Sequence, residues 1–223
     1  MIPKIIISEQ IHAAAPGLRV LAVEAAIDNV PTPDTLWGEL TDMGEKLHRS
    51  LAIEMVNKIP AIAATRAAYK RCGKEPNRYR PSAEALTRRM VKGLELYRTL
   101  LAIDLINLIS VVTGHSIGGF DADRIEGDNL TLGIGREGEE FHAIGRGELN
   151  IAGLPLYRDS KGGIGTPTSD CERTKLTPDT RRLLMLVNVY DTEADIDRLR
   201  AYILDTCARY GIEVTSAELI FRD

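Results

Sequence analysis

No apolar run in this chain approaches the roughly 18 residues that a bilayer-spanning helix needs. The opening Met1-Ile-Pro-Lys-Ile-Ile-Ile-Ser8 holds too short an apolar stretch for a secretory leader. A membrane partner is therefore not expected, and the expected compartment is the cytoplasm. Cysteine is scarce: Cys72, Cys171 and Cys207 are odd in number and far apart, with no C-x-x-C pair and no histidine at ligand spacing. That excludes a disulfide framework and a zinc site, and predicts three reduced, buried thiols with no metal or other cofactor. Internal repeats and disordered linkers are also missing, so the 223 residues, 44% hydrophobic and 27% charged, read as a single domain over 1–223.

What is present begins with charge. The net −4 is uneven, because Arg66 to Arg98 carries 10 of the 28 basic residues but only three acids, Glu75, Glu84 and Glu95, a local +7 that leaves −11 elsewhere. A local basic field on an acidic protein suits a polyanion. A solvated helix face accounts for it equally well.

Lys4 to Ile7 and Leu18 to Ala26 read as strands joined through the Pro16-Gly17 turn. Helices follow: one with Pro33 at its first position and Leu36, Leu40, Met43, Leu47 and Leu51 at helical spacing, one from Pro60 to near Gly73, and one opened by Pro81 or Ser82. In the last, Leu86, Met90 and Leu94 line one side and Arg88, Arg89 and Lys92 the other. Beyond Asp121, residues 129–135, 140–144 and 150–152 alternate between glycines as short strands. Arg182 to Tyr190 is a continuous apolar strand, Thr192 caps a helix, and Ile212 to Phe221 returns as a strand. The class is α+β, a helical region packed on a later β-rich sheet or small barrel.

The most informative stretch is Leu100 to Val112, apolar almost all round, whose only polar side chains are Asp104, Asn107 and Ser110. Three residues apart, they share one face of a buried helix. An unpaired buried polar group costs about 1–3 kcal/mol, so this line either forms a satisfied core network or faces a cavity. Two motif matches are set aside. Gly133-Ile-Gly-Arg-Glu-Gly138 satisfies G-x-G-x-x-G but runs on as strand, without the helix whose amides would hold a pyrophosphate. Gly114-His-Ser-Ile-Gly118 satisfies G-x-S-x-G, yet a helix precedes it where a hydrolase needs a strand.

Asn107, Gly114 and Phe120-Asp121, with Arg80-Pro-Ser-Ala-Glu84 upstream and Gly165-Thr-Pro-Thr-Ser-Asp-Cys-Glu-Arg-Thr174 downstream, resemble the editing domain of the phenylalanyl-tRNA synthetase β subunit and its stand-alone relatives. The likeness runs from Arg66 to Asn188; no ATP-binding module is present. The resemblance implies hydrolysis, in trans, of the ester joining a wrong amino acid to its tRNA, by a positioned water and no covalent nucleophile. Asn107 would position that water, with Asp104 and Ser110 flanking it on the same helix face. Two positions depart from the family: Ile106 stands in place of a threonine and Gly118 in place of a histidine, with His115 as the nearest substitute. The implied partner is tRNA, as substrate or ligand, with no DNA; a homodimer is left open. Arg78, Arg80, Arg88, Arg89 and Lys92 would meet its backbone. In the loop of Thr166, Ser169, Asp170, Arg173 and Thr174, binding groups and an Asp170–Arg173 structural pair are both open. The altered positions also leave open a noncatalytic tRNA- or RNA-binding module and an amino-acid-binding protein.

Overall fold

The structure is a computed structural model that describes residues 3–222. In chain order its elements are β1 (Lys4–Ile7), α1 (Glu9–Ala14), β2 (Arg19–Ala26), α2 (Asp34–Ser50), α3 (Pro60–Arg71), α4 (Ser82–Val91), α5 (Leu101–Thr113), β3 (Ile117–Asp121) and β4 (Asn129–Ile134). There follow β5 (His142–Ala143), β6 (Gly147–Glu148), β7 (Pro155–Asp159), β8 (Gly162–Gly165), β9 (Arg182–Val189), α6 (Ile196–Arg209) and β10 (Glu213–Phe221).

Strands β2 and β9 are apolar on both faces because they lie in the middle layer of three. Leu21, Val23, Leu183, Met185 and Val187 point to a helical layer made by α2, α4, α5 and α6. The alternate residues Val20, Ala22, Leu184 and Leu186 meet Ile5, Ile7, Leu130 and Leu132 of a second sheet. The first sheet is antiparallel throughout, ordered β10-β2-β9-β3; the second, ordered β1-β4-β7-β8, is mixed, because β1 and β4 run parallel. The fold is α+β with open sheets in place of a barrel. Its central strand β2 precedes α2, α4, α5 and α6 of the helical layer in the chain, so the order along the chain is not the order of the layers.

Four local expectations are corrected. Residues 150–152 form no strand, because the carbonyls of Asn150 and Ala152 accept the Lys74 ammonium at 2.9 and 2.6 Å. Leu94 lies outside α4, since Gly93 at φ +72° ends that helix, and its side chain is half exposed. Helix α6 is capped by Asp195, whose carboxylate accepts the Arg198 N–H at 3.0 Å, and not by Thr192. Pro33 is the cap of α2 and Asp34 its first residue.

Helix α5 buries Leu105, Leu108 and Ile109 completely, each worth about 1.5–3 kcal/mol. It stops at Gly114, whose φ of +77° suits a residue without Cβ and whose N–H returns to the Ser110 carbonyl. That abrupt end turns the chain straight into β3, the edge strand of the first sheet. The end of α5, the start of α4 and β3 thereby come together.

Candidate functional site

A half-open cavity of about 250 Å³ lies where these elements meet, walled by Ile103, Ile106 and Ile117 and by Leu86 and Leu176. Asn107 and Ser110 reach it from α5, Ser82 from α4, and Asp170, with Lys175 after it, from the loop following β8. Another cavity, of about 220 Å³, lies between α2 and the end of α4. There the His48 Nδ1 is engaged by the Val91 carbonyl at 3.0 Å and Glu45 pairs with Arg49 at 3.1 Å. The first cavity is the candidate because it combines an apolar wall with converging polar groups.

The polar line of α5 divides. Asp104 is fully buried away from the cavity wall and accepts from the Thr32 hydroxyl at 2.5 Å, the Thr99 N–H at 2.8 Å and the Thr99 hydroxyl at 3.2 Å. Ser110 is also buried and donates to the His115 carbonyl at 2.7 Å. Asn107 is half-buried; its amide donates to Asp104 Oδ1 at 3.4 Å and its side chain lines the cavity. Asp104 thus holds Asn107 in place from behind.

His115 does not supply the missing imidazole. It is buried among Asn188, Asp191 and Arg19, does not line the cavity, and its Nδ1 has no partner among the described residues. Burial pushes its pKa down to about 4, against the pull of Asp191, so it is neutral at neutral pH. Ser116 is buried too, its hydroxyl accepting the Ala83 N–H at 3.3 Å, which suits a turn and not a nucleophile. Gly118 is closed as well: a Cβ there would stand 2.7 Å from two ring atoms of the fully buried Phe120. Gly118→His is accordingly expected to cost about 1–3 kcal/mol by overpacking, read as a lower urea midpoint, and to create no new activity.

The loop after β8 is mostly self-supporting. The Thr166 hydroxyl accepts the N–H groups of Thr168 and Ser169 at 3.1 and 3.0 Å, and Thr174 is buried. Arg173 does not pair with Asp170. It grips the carboxylate of Asp159 with two bonds, at 2.8 and 2.7 Å, tying the loop to the end of β7. Only Asp170 of the five expected loop residues reaches the cavity. Lys175, Leu176, Ser82 and Ile144 also line it, and nothing in their local sequence separates them from ordinary loop and cap residues.

The basic residues are largely engaged. Arg66 and Arg88 each bond to the buried Glu84 at 2.8 Å, with Arg80 at 3.6 Å. Arg89 donates to the Glu95 carbonyl at 2.6 Å and lies over the exposed Tyr97 ring. Arg78 and Lys92 are exposed, with no side-chain partner among the described residues.

Residues 64–217 match the family model described as the B3/4 domain. This chain belongs to the B3/4 domain family. Among curated proteins it is 32% identical over 114 residues to the phenylalanine–tRNA ligase β subunit of Bartonella henselae, covering 50% of this chain and 14% of that one. The same subunit of Bartonella quintana is 32% identical over 113 residues, with the same coverages. The B3/4 chain thus spans about 14% of the length of these relatives. Among solved structures, an N-terminal fragment of the phenylalanyl-tRNA synthetase β subunit from Pyrococcus horikoshii aligns at a TM-score of 0.47 and 13% identity, over 95% of this chain and 50% of that one. Among the described residues of this B3/4 protein, no helix is long and apolar enough to cross a membrane.

Proposed function

We propose that this B3/4 protein is an editing deacylase that removes a wrong amino acid from its tRNA in trans, in the cytoplasm. The reading rests on one observation: the Asn107 amide, braced by Asp104, borders an amino-acid-sized cavity open to the surface. An aminoacyl ester is already activated. Water adds to the carbonyl carbon, the bond to the terminal ribose oxygen breaks, and that oxygen leaves with a proton as a hydroxyl. Positioning suffices for this chemistry, and a donor aimed at the carbonyl oxygen supports the charge that develops there. One N–H of Asn107 is directed at Asp104, and the other is available for that task. Of the five expected backbone contacts, Arg78 and Lys92, exposed near the two ends of α4, are those with charge to offer a phosphate backbone.

Incubation with a panel of mischarged tRNAs tests the proposal. Ester loss above background is expected for at least one, and Asn107→Ala should slow it by about 10²–10³-fold. No loss for any of them defeats it. The filled space at Gly118 favours a second reading, a noncatalytic tRNA-binding module. That reading expects salt-sensitive binding, weakened in the Arg78→Ala, Lys92→Ala double variant, with no turnover.

A further inference from the structure

Asp170 is the one acid on the wall of the Asn107 cavity, and the protein leaves it short of positive charge. Its carboxyl receives a single described hydrogen bond, from the Gly119 N–H to Oδ2 at 3.1 Å. The neighbouring cations are committed elsewhere, Lys175 to Glu172 at 2.5 Å and Arg173 to Asp159. Space for the carboxyl is kept by glycine: a Cβ at Gly165 would lie 2.7 Å from Oδ1 and one at Gly118 3.6 Å from it. The other charged or ionisable groups near it are Tyr157 of β7 and Lys175, since α4, α5 and β3 contribute only Ser82, Leu86, isoleucines, Asn107, Ser110 and Gly119 to this wall. Burial pushes the Asp170 pKa up to about 7, against the downward pull of the Gly119 amide.

Asp170 is a half-buried carboxylate with one donor and no paired cation, and such a group is stabilised by whatever brings it a cation. The rest of the wall says which. Beside the carboxylate stand one carboxamide, Asn107, and an apolar surface made by Ile103, Ile106, Ile117 and Leu176. An amino-acyl group presents the matching set: an α-ammonium, a carbonyl oxygen and, where its side chain is apolar, a hydrophobic body. We infer that Asp170 binds the α-ammonium of an amino-acyl group seated in this cavity, so that the site selects acyl groups with a free amine and an apolar side chain and refuses N-acylated or α-hydroxy counterparts. The inference rests on the proposed reading of this cavity as the acyl site.

Linkage fixes the pH behaviour. An ammonium favours ionised Asp170 and lowers its pKa, so binding below about pH 7 releases a proton from Asp170, and affinity falls as pH falls through that value. The ligand's own amine is cationic below roughly pH 7.7, which leaves pH 5.5 to 7 as the informative window.

Two amide-linked, non-hydrolysable probes test this by titration calorimetry: 3′-deoxy-3′-(leucylamino)adenosine and the same compound with an α-hydroxyl in place of the amine. Wild type is expected to bind the amine probe and, at pH 6 in buffers of different ionisation heat, to release close to one proton. The hydroxy probe should bind about 10- to 100-fold more weakly. Asp170→Asn, which keeps an acceptor for the Gly119 N–H, should lose the preference and the proton release together. Equal affinity for both probes, unchanged behaviour of Asp170→Asn, or no binding of the amine probe overturns the assignment. Proton-linked binding of the amine probe without hydrolysis of any mischarged tRNA would instead remove the deacylase reading and leave the ammonium site standing.

Discussion

Glu84→Gln is expected to lower the unfolding free energy by about 3–5 kcal/mol, the range found when one partner of a buried ion pair is removed. The Glu84 side chain is 1% exposed and holds two arginines at 2.8 Å, of which Arg66 is 12% and Arg88 22% exposed. Arg80, farther away at 3.6 Å and 44% exposed, adds less. Glutamine keeps the volume and loses the charge, so two largely covered guanidiniums are left facing each other. The Arg66 end ties α3 and the Asn77 side chain to α4, and the Arg88 end reaches the Ile53 carbonyl, so the loss spreads across three segments. A urea titration at neutral pH measures it. Glu45→Gln is the control: its pair with Arg49 is 61% and 72% exposed, and its loss should leave the midpoint where it was. A Glu84→Gln midpoint as little moved as the control's would mean that water screens the cluster. The same geometry decides how an RNA-binding surface is probed. Arg88→Ala strips a partner from Glu84 and confounds affinity with stability, whereas Arg78 and Lys92 carry no such duty among the described residues.

Local periodicity made the secondary structure legible wherever burial is continuous. The apolar run of β9 and the nearly all-apolar α5 announced themselves because β9 is covered on both faces and α5 round most of its circumference. Lateral placement was not legible. Nothing in residues 4–7 says that they pair in parallel with residues 129–132, a contact decided by how the second sheet closes over the first. Within the site, the spacing of Asp104, Asn107 and Ser110 gave their common face but not their division of labour. Asp104 is satisfied by Thr32, 72 residues away, and a distant hydroxyl leaves no mark on the helix pattern. The pairing of Asp170 with Arg173, one of the two readings left open, failed for the same reason. The guanidinium found a better carboxylate at Asp159, 14 residues earlier in the chain, and its departure is what leaves Asp170 without a cation. Motif likeness identified the family, while the ring against Gly118 and the singly bonded carboxyl of Asp170 needed three dimensions.

Asp104→Ala should cost about 1–3 kcal/mol, because it strands the buried Thr32 hydroxyl inside the protein, whereas the N–H and hydroxyl of the exposed Thr99 can turn to water. Through Asp104 these three donors bind the approach to α5 against the residues ahead of α2. Thermal or urea unfolding reads that loss, but it does not tell whether Asp104 serves the cavity. Asp104→Asn does. The asparagine oxygen can still accept from Thr99 and Thr32, so most of the stability is retained, while its new NH₂ is turned towards the Asn107 amide 3.4 Å from the old Oδ1. Two donors cannot bond to each other, and Asn107 must rotate away from the orientation in which Asp104 holds it. In the mischarged-tRNA assay the variant should therefore lose about tenfold or more in kcat, with KM little changed, since the acyl group still has its walls and only the positioned donor has moved. Full activity in a folded Asp104→Asn protein would mean that Asp104 does not orient Asn107, and that this end of the polar line serves the core alone.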